Sequence, residues 1–188
     1  MPTQISGLTG VNQVQDGSIN TSAKISAGVI LANAPVGSGL VLQSVNGSSN
    51  STYQNVSANK IPFTDSVPLV TAGDQILTVT VTPIRVGSTI RCTAKFIVGT
   101  GTSAGISCAA MFAGSACTDA DGGSVNDNVA IRPYFLTGSV VTVSLSPIVF
   151  QVRLAPDTAT ANVYLNGNGI ARRFGGASVA TINCVETA

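Results

Sequence analysis

The sequence predicts an all-β protein, an antiparallel jelly-roll-like β-sandwich with an extended N-terminal arm. Only 9% of its 188 residues are charged whereas 44% are apolar, and the polar remainder is rich in Ser, Thr, Asn and Gly, which favour strands and turns. After residue 60, apolar and polar residues alternate with the period of a strand. No segment carries the apolar stripe of an amphipathic helix, so any helix should be one short turn.

Residues 1–58 are predicted to form the arm. They contain only two charges, Asp16 and Lys24, and short apolar patches without sustained periodicity. Such a segment cannot bury enough surface to form its own core, so we expect it to become ordered against a partner, with a tail that binds nothing as the alternative. The residues expected to make that contact are aliphatic: Ile5, Leu8, Val11, Ile19, Ile25, Val29, Ile30 and Leu31.

Residues 59–188 are predicted to form a folded domain, here called the knob. Short alternating runs are separated by Gly, Pro, Asn and Asp, at the spacing of a two-sheet sandwich or jelly roll. Pro83 should end one strand, and Asp121-Gly122-Gly123 should form a turn. Eight strands are expected, at 75–82, 88–98, 105–113, 128–135, 140–145, 149–154, 161–165 and 177–185. The predicted core residues are Ile90, Phe96, Ile106, Phe112, Ile131, Val143, Leu154 and Ile182.

The four cysteines, Cys92, Cys108, Cys117 and Cys184, have no CxxC spacing and no His to share a metal. This excludes the common zinc patterns. Cys92, Cys108 and Cys184 fall at strand positions expected to face inward. We favour small buried thiols that pack as apolar groups, with one or more disulfides as the alternative.

Few residues offer catalytic chemistry. The chain has no His and a single Glu, Glu186, which excludes the His-dependent nucleophile arrangements. Asp119, Asp121 and Asp127 lie close together in sequence and could serve as a calcium loop or as a paired-acid site. We favour a solvated hairpin loop there. The sequence therefore predicts a protein that is not an enzyme and needs no metal or cofactor.

Arg172 and Arg173 could hold a carboxylate, phosphate or sugar, because guanidinium groups bind such ligands through two hydrogen bonds. A surface turn, or a salt bridge between subunits, is the interpretation that we favour. Tyr53, Tyr134 and Tyr164 are too scattered in sequence to form a sugar-stacking row, and strand packing accounts better for Tyr134 and Tyr164.

The charge balance limits the partners of the protein. A net charge of +1 gives no reason to expect nucleic acid or anionic lipid. The N-terminal segment lacks the features of a signal peptide, and no apolar run is long enough to cross a bilayer. A surface so poor in charge favours association, so we expect an obligate assembly.

Three stretches resemble the jelly-roll domains of tailed-bacteriophage structural proteins. The first runs from Lys60-Ile-Pro-Phe-Thr-Asp through Ala72-Gly-Asp-Gln to the strand that ends at Val98. The second is Ala109-Ala-Met-Phe-Ala-Gly-Ser-Ala-Cys, and the third combines Asn162-Val-Tyr-Leu-Asn-Gly with Arg173-Phe-Gly-Gly-Ala-Ser. The resemblance covers residues 60 to 188 and brings no catalytic residues with it.

The resemblance implies a trimeric knob, similar to tumour necrosis factor, on a tail fibre, a head fibre or a capsid. The segment before the knob is too short for a fibre shaft, which favours a capsid decoration (cement) protein. Such a protein would assemble in the bacterial cytoplasm, reside on the outer surface of the phage head, and have its own copies and the major capsid protein as partners. The alternative is a receptor-binding fibre knob that contacts host surface polysaccharide.

Overall fold

The computed structural model describes residues 39–49, 53–56, 59–100, 105–125, 131–158, 162–167 and 171–188. These residues form ten strands and one short 3-10 turn, Arg173–Gly176. The strands are β1 Val41–Ser49, β2 Tyr53–Val56, β3 Asp74–Val81, β4 Thr89–Thr100, β5 Gly105–Ala113, β6 Ala116–Val125, β7 Ile131–Val141, β8 Ile148–Pro156, β9 Asn162–Leu165 and β10 Ala180–Thr187. The prediction of an all-β fold is confirmed.

The main strands pair in a nested order. β1 pairs with β10, β3 with β8, β4 with β7 and β5 with β6, all antiparallel. Successive pairs belong alternately to two sheets, β1-β10-β4-β7 and β3-β8-β5-β6. The chain thus forms one long antiparallel ribbon that is rolled into a sandwich, which is the connectivity of a jelly roll. The short strands β2 and β9 extend the first sheet beyond the end of β10.

The core lies between the two sheets because alternate residues of each strand face inward. Of the predicted core residues, Ile90, Phe96, Leu154 and Ile182 belong to this cluster and are at most 1% exposed. The rings of Phe96 and Tyr134 stack there, with centroids 5.3 Å apart. The inward faces of β4 and β10 were therefore predicted correctly.

Strand β5 is buried on both faces, and its inward face was predicted wrongly. Ala109 and Met111 join the core between the sheets. Ile106 and Cys108 instead pack with Ile61 in a small cluster on the outside of the second sheet. Because every second residue on both faces is apolar, alternation could not show which face points inward. Phe112 is fully buried and Ile131 is half-buried.

Val143, also a predicted core residue, is 87% exposed. The predicted strand 140–145 does not form, because β7 continues to Val141 and a turn follows. Thr142 holds this turn: its backbone N–H donates to the carbonyl of Ser88, and its Oγ1 donates to the carbonyl of Arg85. The apolar alternation of Val141, Val143 and Leu145 thus continues beyond the strand into a connection, where these side chains do not contact the core.

Part of the predicted arm is a structural component of the knob. β1 pairs with β10 over Val41 to Ser49, and β2 pairs with β9. The expected boundary at residue 58 is therefore wrong. In β1, Ser44, Asn46 and Ser48 face outward, whereas Gly47 faces β3 so closely that a Cβ would lie 2.9 Å from the carbonyl oxygen of Thr78. Pairing with β10 and this close backbone packing, neither of which an apolar pattern reveals, place the strand in the sandwich.

Candidate functional site

Glu186 organises one end of the sandwich, here called the apical end, where the connections 82–88 and 142–147 lie. Its side chain is fully buried. Ser88 Oγ donates to it at 2.5 Å, Gln43 Nε2 at 2.5 Å, and the backbone N–H groups of Ile84 and Arg85 at 2.9 to 3.2 Å. The carboxylate thereby joins β10 and β1 to the connection between β3 and β4.

These contacts set the charge state of Glu186. Burial on its own raises the pKa of the carboxyl group, but the hydrogen bonds from Ser88, Gln43, Ile84 and Arg85 outweigh it, and the pKa is lowered. Hydrogen bonds to the charged form favour ionisation. The only Glu of the chain is thus an ionised structural anchor whose acceptor oxygens are already engaged.

The anchored connections present an exposed apolar surface. Gly87 N–H donates to the Thr142 carbonyl at 2.8 Å, and Thr142 N–H donates to the Ser88 carbonyl at 2.9 Å. Five aliphatic side chains on these connections and the adjoining end of β7 are 39% to 87% exposed. We call them the apical patch: Ile84, Val86, Val141, Val143 and Leu145. Exposed apolar groups that are concentrated in this way mark interaction surfaces.

A second surface is the outer face of the first sheet, here called the open face. Along β4 it presents Arg91, Thr93 and Lys95, all exposed. Lys95 lies between Phe135, which is 62% exposed, and Thr181 in the strand register. Further outward side chains of β7, β10 and β1 are Thr137, Ser139, Asn183, Val185, Ser44, Asn46 and Ser48. Among these described side chains, Arg91 and Lys95 are the charged groups.

The segment 59–72 covers part of the outer face of the other sheet. Ile61 N–H donates to the Pro156 carbonyl, and Ile61 is 2% exposed. The ring of Phe63 lies over Gly122, where a Cβ would approach to 2.7 Å. A cavity of about 200 Å³ remains under the segment, and a second of about 350 Å³ is lined by the segment itself. Ligand pockets measure roughly 300–1,000 Å³, so the first lies below this range and the second at its lower end.

The acidic stretch is not the solvated loop that the sequence predicted. Asp119 and Asp121 lie in β6, and Arg132 Nη2 donates to both carboxylate oxygens of Asp121 at 2.9 and 3.1 Å. Asp119 accepts a 2.7 Å hydrogen bond from Thr137 N–H. Asp127 lies outside the described residues. Both described carboxylates therefore join β6 to β7, and the turn expected at Asp121-Gly122-Gly123 is wrong.

Two further polar groups near this pair are buried. The Tyr134 hydroxyl lies 2.6 Å from both the Oγ and the carbonyl oxygen of Ser107. Burial raises the pKa of Tyr134 to about 12. Burial, followed by the charges of Asp157 and Asp121, likewise raises the pKa of Cys108 to about 12. Both groups stay protonated at neutral pH, so the Cys108 thiol is a packing group and a weak nucleophile.

Cys92 and Cys184 form a disulfide, so the favoured expectation of packed thiols is wrong for this pair. They face each other in the register of β4 and β10. Cys108 and Cys117 are free. Since 92 residues separate the bonded cysteines, the pairing could not be read from their spacing. The bond joins the last strand of the chain to the centre of the first sheet.

The paired arginines lie at the opposite end of the sandwich from the apical patch. Arg172 is exposed and forms a β-bridge with Gly167, and Arg173 begins the 3-10 turn. Phe174 follows with a φ of 51° and a ring that is 82% exposed. This matches the expected surface turn. The residue pattern did not indicate that the turn would project an aromatic ring.

The eight aliphatic residues predicted to contact a partner through the arm precede Gly39 and lie outside the described residues. Tyr53 lies in β2 and Tyr164 in β9. Among the residues that the structure describes, no group of three or more His, Cys, Asp or Glu side chains could hold a metal ion. The same part of the chain contains no helix that is long and apolar enough to span a membrane. No protein-family model and no curated protein matches the sequence.

Proposed function

We propose that this protein is a virion structural protein of a tailed bacteriophage. In this proposal it is a capsid decoration protein that binds the outer surface of the head as a homotrimer, stabilises the shell and catalyses no reaction. Support comes from the resemblance of residues 60–188 to phage jelly-roll proteins and from the matching jelly-roll connectivity of the strands.

The open face is the observation that carries the proposal. It is broad, regular and supported from behind by the core, and it presents Ser, Thr and Asn side chains beside the exposed Phe135. Polar groups around a few apolar anchors are typical of protein–protein interfaces. We assign this face to contacts between copies of the knob, and we assign residues 1–38 to the contact with the shell.

Decoration would stabilise the shell through added contact area. Each trimer would join neighbouring capsid subunits, so that opening the shell requires additional contacts to break. A ligand that binds only the intact form shifts the equilibrium towards it, and symmetry multiplies modest contributions. The Cys92–Cys184 disulfide lies in the core between the sheets, and it is compatible with a protein that resides outside the reducing cytoplasm once particles are released.

The first experiment tests the trimer. The mass of the purified protein, measured by light scattering, should be that of three chains. Phe135→Lys should reduce it to one chain, because the substitution would add a third positive charge beside Lys95 in the contact. Val67→Lys is the matched control, since Val67 is 74% exposed on the covered side of the sandwich. A wild-type monomer would refute the trimer.

The second experiment tests the contact with the shell. Deleting residues 1–38 leaves β1 in place and should yield a folded knob that no longer cosediments with phage heads. A deletion to residue 58 would not be informative, because it also removes β1 and β2. Full retention of head binding by the shorter deletion would contradict the role assigned to the arm.

The second candidate function is a fibre knob that contacts host surface polysaccharide. The exposed ring of Phe174, two positions after the exposed Arg172, favours it, because sugars stack on aromatic rings and guanidinium groups bind their hydroxyl and acidic substituents. Phe174→Ala should then abolish binding to the surface of host cells. Electron microscopy of the particle separates the two candidates: hundreds of copies on the head indicate decoration, and a few copies at the tail indicate a fibre.

A further inference from the structure

The apical patch leaves aliphatic side chains exposed to solvent, and the chain contains an apolar segment that can pack on them. The patch consists of aliphatic side chains on two connections held by hydrogen bonds, and Val143 is 87% exposed. Arg85 is the charged residue on these two connections, and Glu186 of β10, which anchors one of them, is buried. An uncovered surface of this kind favours association.

The described chain begins at this same end of the sandwich. Gly39 N–H donates to the carbonyl of Ala188, the last residue of the chain. Val41 and Val141 lie in one row across the first sheet, through Thr187 and Thr89. Three strand spacings separate the two valines, a distance of about 14 Å. The residues that precede Gly39 are therefore joined to the knob beside the patch.

The sequence Ile25-Ser-Ala-Gly-Val-Ile-Leu31 lies at a suitable distance along the chain and contains no charged residue. Leu31 lies ten positions before Val41. A chain of that length reaches at most about 33–36 Å, and as a random coil its ends average about 17 Å apart. Both distances exceed the 14 Å between Val41 and Val141, so the segment can reach the patch at Val141 without strain.

The short linker between this segment and the knob favours the segment over a separate molecule as the binding partner of the patch. A segment held by a short linker is present at an effective concentration on the order of millimolar. A second copy of the protein in micromolar solution offers the same aliphatic contacts at a concentration about a thousandfold lower. We propose that residues 25–31 dock on the apical patch of their own chain. This docking shields the patch in the free protein, and the inference does not depend on the proposed phage function.

The absence of Trp from the chain permits a specific optical test. Ile30→Trp in the otherwise intact protein places a single indole in the docking segment. We expect a blue-shifted emission and weak quenching by acrylamide. Adding Val143→Ser and Leu145→Ser should shift the emission to that of a solvent-exposed indole. Adding Val67→Ser and Leu69→Ser, which remove two exposed aliphatic groups elsewhere, should leave the emission unchanged.

Hydrogen exchange on the protein without Trp provides an independent measurement. The amides of residues 25–31 should exchange more slowly in the wild type than in the Val143→Ser, Leu145→Ser variant. An indole exposed to solvent, together with equal exchange in the two proteins, would overturn the proposal. A blue shift that disappears on dilution would also overturn it, because the patch would then belong to another copy. A protein that does not bind capsids would still show the blue-shifted emission and the slow exchange if residues 25–31 dock on the patch. The docking proposal and the proposed phage function can therefore fail independently.

Discussion

Replacing Glu186 with Gln should destabilise the protein in a pH-dependent way. The substitution keeps the size of the side chain but leaves one acceptor oxygen and adds an NH2 group. That group would face a donor, either Gln43 Nε2 or Ser88 Oγ, each of which lies 2.5 Å from a carboxylate oxygen in the wild type. A hydrogen bond to a charged partner contributes about 1.5–3 kcal/mol, so losing one and weakening the others should cost about 2–4 kcal/mol.

The sign of the pH dependence follows from the lowered pKa of Glu186. Because the folded pKa lies below the unfolded value, the carboxylate contributes its full stability above the unfolded pKa, about 4.3. That contribution is lost as the pH falls through the folded pKa. The difference between wild type and Glu186→Gln should therefore be largest at neutral pH and should shrink in acid.

Thermal unfolding followed by circular dichroism at several pH values measures both effects. At pH 7 the Tm should fall on the order of 10 °C, since 1 kcal/mol corresponds to about 2–4 °C for a chain of this length. Asp65→Asn is the matched control, because Asp65 is exposed, and it should change stability by less than about 0.5 kcal/mol. An equal Tm difference at pH 7 and pH 3 would refute the role assigned to the ionised carboxylate.

Three other substitutions test the core and the contacts between sheets. Phe96→Asp should abolish the cooperative unfolding transition, because it buries a charge against Tyr134. A wild-type melting curve would mean that the inner face of β4 has been assigned wrongly. Replacing Cys92 and Cys184 together with Ser should lower the free energy of unfolding in urea by up to about 4–5 kcal/mol by the chain-entropy estimate, and reducing agent should have no further effect on that variant. Gly138→Ala should cost about 1–3 kcal/mol by overpacking, since a Cβ there would overlap Thr118 Oγ1. Unchanged stability would show that β6 and β7 can separate without loss.

Strand β6 lies where the sequence predicted a solvated loop. Asp119-Ala-Asp-Gly-Gly has the composition of a turn. In the fold, Arg132 pairs with Asp121, and a side chain at position 123 would overlap the Arg132 guanidinium. The acid and the glycines thus fit a strand only because β7 lies beside it. A local pattern contains no information about that neighbour.

By itself, the sequence determined the all-β class, the inward faces of β4 and β10, and four residues of the main core, because these depend on the alternation of apolar residues within single strands. Tertiary structure alone decided the place of β1 in the sheet, the Cys92–Cys184 bond, the burial of Glu186 and the exposure of Val143. Each of these depends on a residue distant in sequence: β10 for β1, Cys184 for Cys92, Ser88 for Glu186, and Arg85 for the turn before Val143. Periodicity records which side of a strand is apolar, whereas the nested pairing of the jelly roll decides what that side meets.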